Sequence, residues 1–189
     1  MRRIVVSEFV TLDGVMEDPG GAEGFDRGGW AFQFERGPDG DKFKLDEVLE
    51  ADALLLGRNT YEGFAKAWPT VTDEVGFAEK MNSMPKYVVS STLESADWNN
   101  STVINGDVAE EVAKLKQQPG GNILVAGSAQ LVQTLMDHDL VDEYRLMIYP
   151  VLLGSGKRLF KDGIDTTALQ IIETNQTGQV ATVVLQRAA

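Results

Sequence analysis

Cysteine is absent from this 189-residue sequence, and histidine occurs once. Without cysteine there is no disulfide framework, no thiolate nucleophile and no Cys-based metal site. The lone histidine, His138, excludes a two- or three-histidine metal centre and leaves any Ser-His-Asp triad resting on that residue alone. It stands where a helix should end, a usual place for a solvated histidine favoured by the helix dipole. No metal is therefore expected. Apolar runs long enough to span a bilayer are missing as well. The first residues, "MRRIVVSE", reach Glu8 before an adequate signal-peptide core can form. These features fit a cytoplasmic enzyme. Positive charge is scarce, with 17 Lys and Arg against 29 Asp and Glu, a net −12. Such a surface repels nucleic-acid phosphates on average, although a local basic pocket can still hold a small anion.

What is present has the proportions of one globular α/β domain, residues 1–189, with 43% hydrophobic and 24% charged residues. The periodicity alternates between strand and helix. Strands are expected at Ile4 to Val10, Ala53 to Leu56, Lys86 to Ser90, Thr102 to Ile104 and Asn122 to Ala126. Three more, at Tyr144 to Leu153, Ala168 to Glu173 and Val180 to Arg187, complete the set. Helices are expected at Asp41 to Ala51, with Leu45, Val48 and Leu49 inward, and at Thr60 to Ala67. Two others run from an Asp107 cap and over Ser128 to Met136. Alternation of this kind predicts a mostly parallel sheet of about eight strands with helices on both faces, closed by antiparallel C-terminal strands.

Two strand-to-helix turns carry small residues. In "LLLGRNTYE", a strand stops at Gly57, Arg58 adds a charge, and Asn59 with Glu62 reads as a capping box before Thr60. In "AGSAQL", Gly127, Ser128, Ala129 and Gln130 open the next such helix. First-turn amides point outward with the positive end of the helix dipole and suit an anion. Each turn alone is also an ordinary structural connection. A third strand end carries the hydroxyls of Ser90, Ser91 and Thr92, suited either to a phosphate or to loop backbone.

Taken in order, "TLDG" (Thr11 to Gly14), "LLLGRNTYE", "KYVVSST", "ILVAGSAQL" and "DEYRLMIYPVLLGSGKRLF" resemble the dihydrofolate reductase superfamily. The closer likeness is to the C-terminal reductase domain of the riboflavin-biosynthesis deaminase-reductase. The resemblance implies a three-layer αβα sandwich and an NADPH-dependent hydride transfer to a pyrimidine-, pteridine- or flavin-like heterocycle. It would place Gly57, Arg58, Asn59 and Thr60 on phosphate, and Ser90, Ser91 and Thr92 near the 2′-phosphate. Gly127, Ser128, Ala129 and Gln130 would receive the pyrophosphate, and Phe9 and Val10 would flank the nicotinamide.

Substrate-side markers are weaker. The Pro-Trp loop of dihydrofolate reductases is missing; the nearest stretch is "GGWA", with Trp30 as a candidate pocket wall. Asp41 has the spacing from Gly57 that those enzymes use for their substrate carboxylate, although a helix N-terminus favours aspartate anyway. Asp13 is a candidate for proton transfer or simply an Asp-Gly turn. Lys157 and Arg158 would meet a substrate phosphate or stand solvated. With neither H-x-E nor C-x-x-C, zinc-dependent deamination is excluded, while reduction of a ribosyl-phosphate pyrimidine stays open. The rival reading is a non-catalytic nucleotide-binding or sensor protein on the same fold. The apolar "YRLMIYPVLL" either fills the sheet or is covered by a second copy in a homodimer.

Overall fold

In the computed structural model, residues 1–188 are described; Ala189, the last residue of the expected domain, lies outside them. Eight strands form one sheet: β1 (Ile4–Thr11), β2 (Ala51–Gly57), β3 (Lys86–Val89), β4 (Ser101–Ile104), β5 (Asn122–Ala126), β6 (Glu143–Tyr149), β7 (Leu169–Thr177) and β8 (Val180–Arg187). Their spatial order is β4-β3-β2-β5-β1-β6-β8-β7. The strands from β4 to β6 are parallel; β8 runs antiparallel to β6, and β7 antiparallel to β8. The expected α/β architecture is thus the observed one.

Among the described residues five α-helices cover the sheet: α1 (Gly37–Glu50), α2 (Arg58–Ala67), α3 (Phe77–Ser83), α4 (Val108–Gln117) and α5 (Ala129–Asp137). Val48 of α1, Tyr61 of α2 and Met81 of α3 pack on one face, against Val5, Leu54, Leu56 and Leu124. Val112 and Leu115 of α4, with Leu131, Val132 and Leu135 of α5, cover the other face against Ile4, Val6, Leu55 and Val125. The central strands are buried on both sides, which is why β2 and β5 read as unbroken apolar runs.

Three sequence expectations change. The inward side of α1 carries Gly40, Glu47 and Val48, whereas Leu49 is exposed. Asn59 does not cap α2: the helix starts at Arg58 with Gly57 in the cap position and no side-chain cap, and Glu62 pairs with Arg58 instead. Helix α3 was not expected from periodicity. The segment Tyr144–Tyr149 fills the sheet between β1 and β8, with both tyrosines, Leu146 and Met147 buried by the chain itself, while Leu152 further along the same run is exposed. No described helix is long and apolar enough to cross a membrane.

Candidate active site

The carboxyl ends of β1, β5 and β2 open at one edge of the sheet. Strands β1 and β5 pair as far as Ser7 and Ala126. Beyond that point Glu8 Oε2 accepts the Gly127 N–H at 3.0 Å, while Glu8 Oε1 is buried without a partner. Burial pushes the Glu8 carboxyl well above its usual range, opposed in part by the Lys44 charge and the Gly127 amide. A polar pair, Ser7-Glu8, inside an otherwise apolar central strand was the sequence signal for this position.

The two small-residue turns meet here. Gly57 N donates to Ser128 Oγ at 2.8 Å, and the same hydroxyl donates to Thr60 Oγ1 at 3.0 Å. Gly127 and Ser128 both adopt left-handed backbone, φ 61° and 62°. This turn swings α5 toward α2, so one helix start is braced by the other. Neither α2 nor α5 has a side chain capping its own first turn. The amides of Arg58, Asn59 and Thr60, and of Ala129 and Gln130, therefore lack intrahelical acceptors at two adjacent helix N-termini. A Cβ at Gly57 would stand 3.2 Å from Ser128 Oγ, so the close approach suits glycine.

Arg58 extends the site towards β3. Its Nε donates to Glu62 at 2.8 Å and its Nη1 to Thr92 Oγ1 at 2.6 Å, on the exposed surface. A guanidinium has five N–H donors, so others remain for a ligand. Ser90 Oγ is occupied by the amides of Thr92 and Leu93, which shapes the loop, while Ser91 and Thr92 face solvent.

On the α1 side, Phe9 joins Phe34 and Trp30 around Tyr149, all in edge-on aromatic contacts. Val10 points the other way, into the core shared with α5. Beneath Phe9 lies a polar group absent from the sequence-based candidates. Ser7 donates to Glu47 Oε1 at 2.7 Å, Lys44 donates to Ser7 Oγ at 2.6 Å, and Lys44 is ion-paired with Glu47. The signal was there: charged residues on the face of α1 that periodicity should have kept apolar.

Several substrate-side candidates are placed differently from expectation. Trp30 is not an exposed loop residue; it is fully buried, its Nε1 donating to Glu17 O at 2.9 Å, so it supports the aromatic wall from behind. Asp13 accepts from Thr11 Oγ1 (2.6 Å), Gly154 N (2.7 Å) and Leu153 N (3.2 Å), which lowers its pKa to about 2. Held ionised, it is an anchor and not a proton donor near neutral pH. Asp41 is paired with Arg36 at 2.6 Å on the outer surface. Arg158 binds the Asp13 carbonyl and Lys157 lies 3.7 Å from Glu17, both exposed.

Asp13 carries a pH prediction. Its native pKa near 2 lies below the ordinary 3.8, so its stabilisation is present above about 4 and is lost as pH falls towards 2. Acid unfolding of Asp13→Asn, followed by circular dichroism, should show a shallower loss across that window than the parent protein. Parallel acid limbs would contradict the anchoring role.

A family model described as the RibD C-terminal domain matches residues 2–183. The chain belongs to the RibD C-terminal domain family. Two curated relatives come from Bacillus subtilis (strain 168). The uncharacterized protein YyaP is 35% identical, covering 92% of this chain and 88% of its own. The uncharacterized protein YwjB is 33% identical, covering 94% of each. Among solved structures, a putative riboflavin biosynthesis protein from Shewanella sp. PV-4 superposes with a TM-score of 0.76 at 19% identity, covering 99% of both chains. Dihydrofolate reductase from Enterococcus faecalis, complexed with NADP(H) and RAB-propyl, gives 0.63 at 14% identity, covering 99% of this chain and 97% of that one. Family and fold therefore agree with the resemblance read from the motif order.

Proposed function

We propose that this protein is a cytoplasmic NADPH-dependent reductase acting on a small heterocycle. The observation that carries the proposal is the junction of two uncapped helix N-termini at Gly57, Thr60 and Ser128, which supplies open amides where a pyrophosphate needs them. Arg58 and Thr92 give the adjoining charge and hydroxyl for a 2′-phosphate. The partnerless Glu8 Oε1 at the parting of β1 and β5 suits a polar ligand edge. When bound, the nicotinamide would supply the hydride; the protein's part is to hold, orient and keep water from the reacting partners. The E. faecalis neighbour, solved with NADP(H), favours the same cofactor.

Fluorescence titration tests the reading. NADPH should bind more tightly than NADH, and Arg58→Ala should weaken NADPH by about 1.5–3 kcal/mol, with a smaller change for NADH. Failure to bind NADPH, or equal affinity for both cofactors, would remove the assignment. Equal losses in the variant would move Arg58 from the 2′-phosphate to a shared contact.

A further inference from the structure

Helix α1 buries an ion pair where packing asks for apolar side chains. Lys44 and Glu47 lie one turn apart on its inward side, with side chains 16% and 1% exposed. A buried pair of this kind contributes little net stability, because desolvating two charges offsets their attraction. Folding alone is therefore a poor reason for it. Its placement is more informative: the ammonium is 4.9 Å from the centroid of the Phe9 ring, at the carboxyl half of β1.

Two of the three ammonium N–H groups are taken, by Ser7 Oγ and Glu47. The third has no protein acceptor among the described residues. The Arg36 guanidinium stands 5.7 Å from the same ring. The carboxylates that balance these cations are elsewhere. Glu47 is behind Lys44 and almost fully buried, and Asp41 is outside Arg36 and 66% exposed. Glu8, another neighbouring acid, has its charge suppressed by burial. The Phe9 ring is thus approached by two cations, of which only Arg36 is paired with an exposed carboxylate.

Resting on the reductase reading above, we propose that Lys44 is the specificity residue of this site and selects a planar heterocycle bearing a negative charge on the edge that faces α1. Ser7 and Glu47 orient the ammonium, leaving one N–H for the ligand, and Phe9 supports the flat ring. A carboxylate at this place would recognise a donor-rich, cationic edge; the lysine reverses that preference.

Calorimetric titration of the whole protein with three ligands that each carry a flat pyrimidine ring tests this: orotate (anionic), uracil (neutral) and trimethoprim (cationic when protonated). Orotate should bind at least about 10-fold more tightly than uracil, and trimethoprim more weakly than either. In Lys44→Met combined with Glu47→Gln, which leaves no buried charge uncompensated, the orotate-to-uracil ratio should fall towards one. Lys44→Arg should keep it within a few-fold. A merely structural lysine would change melting temperature without changing that ratio. The proposal is overturned if the parent protein fails to bind orotate, if uracil or trimethoprim binds equally well, or if the double variant retains the preference. Each titration is run with and without NADPH. Absence of NADPH binding defeats the cofactor reading on its own, and the orotate preference of the free protein still decides the role of Lys44.

Discussion

Lys86→Met should lower the stability of the protein by about 3–5 kcal/mol, a large part of the roughly 5–15 kcal/mol typical of a domain. Lys86 begins β3 and is fully buried. Its ammonium donates to Asn82 O (2.9 Å), Met84 O (2.8 Å) and Asn99 O (2.9 Å) and lies 4.2 Å over the Trp98 ring. The three N–H groups thus tie the end of α3, the start of β3 and the loop before β4 into one unit. Methionine retains the stem's volume but leaves three carbonyls without this donor. Thermal unfolding should fall by about 6–20 °C for a chain of this size. A change below about 1 kcal/mol would show that water replaces the ammonium, and would sink the argument.

The same residue fixes a pH signature. Burial lowers the Lys86 pKa from 10.5 to about 8. Between those values the unfolded chain holds a proton that the native protein has released, so the Lys86 contribution to stability rises with pH in that window. Chemical denaturation at intervals from pH 7 to 10.5 should show the parent protein gaining on Lys86→Met as pH rises. A falling difference would mean that the carbonyls and the ring hold the proton more strongly than burial expels it.

Why Lys86 escaped sequence reasoning is instructive. At the start of "KYVVS" a lysine reads as a strand-end charge in water, and only the folding of the end of α3 and the loop before β4 around it encloses it. Elements specified by local chemistry were legible: β5 spans Asn122–Ala126 as expected, and Asp107 caps α4 by accepting the Glu110 amide at 2.9 Å. Helix α3 was missed because its cap is displaced. Asp73 accepts from Val75, Phe77 and Ala78 across the turn, while Gly76 occupies the cap position itself. At the site, the glycine turns were legible because their backbone demands are local. The link between them was not: the hydroxyl that satisfies Gly57 N comes from Ser128, on another strand-to-helix connection. Of the candidate acids, Asp13 of the Asp-Gly pair accepts the amides of Leu153 and Gly154, and Asp41, offered on its spacing, pairs with Arg36 on the surface. The buried charges of α1 were passed over because an apolar face had been assumed for that helix. A helix whose inward positions break the pattern, as at Lys44 and Glu47, is where functional groups should be sought.

Gly127→Ala should disable the site through sterics as well as through backbone preference. Its φ of 61° costs an alanine on the order of 1–2 kcal/mol. A Cβ here would also stand 2.7 Å from Thr60 Oγ1 and 3.0 Å from its Cγ2, forcing apart the two turns that Ser128 joins. The combined loss should be about 2–4 kcal/mol of stability and, on the proposed cofactor reading, NADPH affinity should fall at least about 10-fold as the open amides of α2 and α5 lose their alignment. Gly14→Ala is the control for conformation alone, since its φ is 83° and nothing lies within 4 Å of the added carbon. It should cost only the backbone term. Asparagine at 127 tolerates the left-handed region yet meets the same threonine, so it should rescue little. Adding Thr60→Ala to Gly127→Ala removes the two nearest atoms and should recover the steric part, a coupling readable from a double-mutant cycle of denaturation midpoints and NADPH affinities. If Gly127→Ala costs no more than Gly14→Ala, or if Thr60→Ala brings no recovery, the two turns are not pressed together, and the closeness that suits them to one pyrophosphate is lost with that contact.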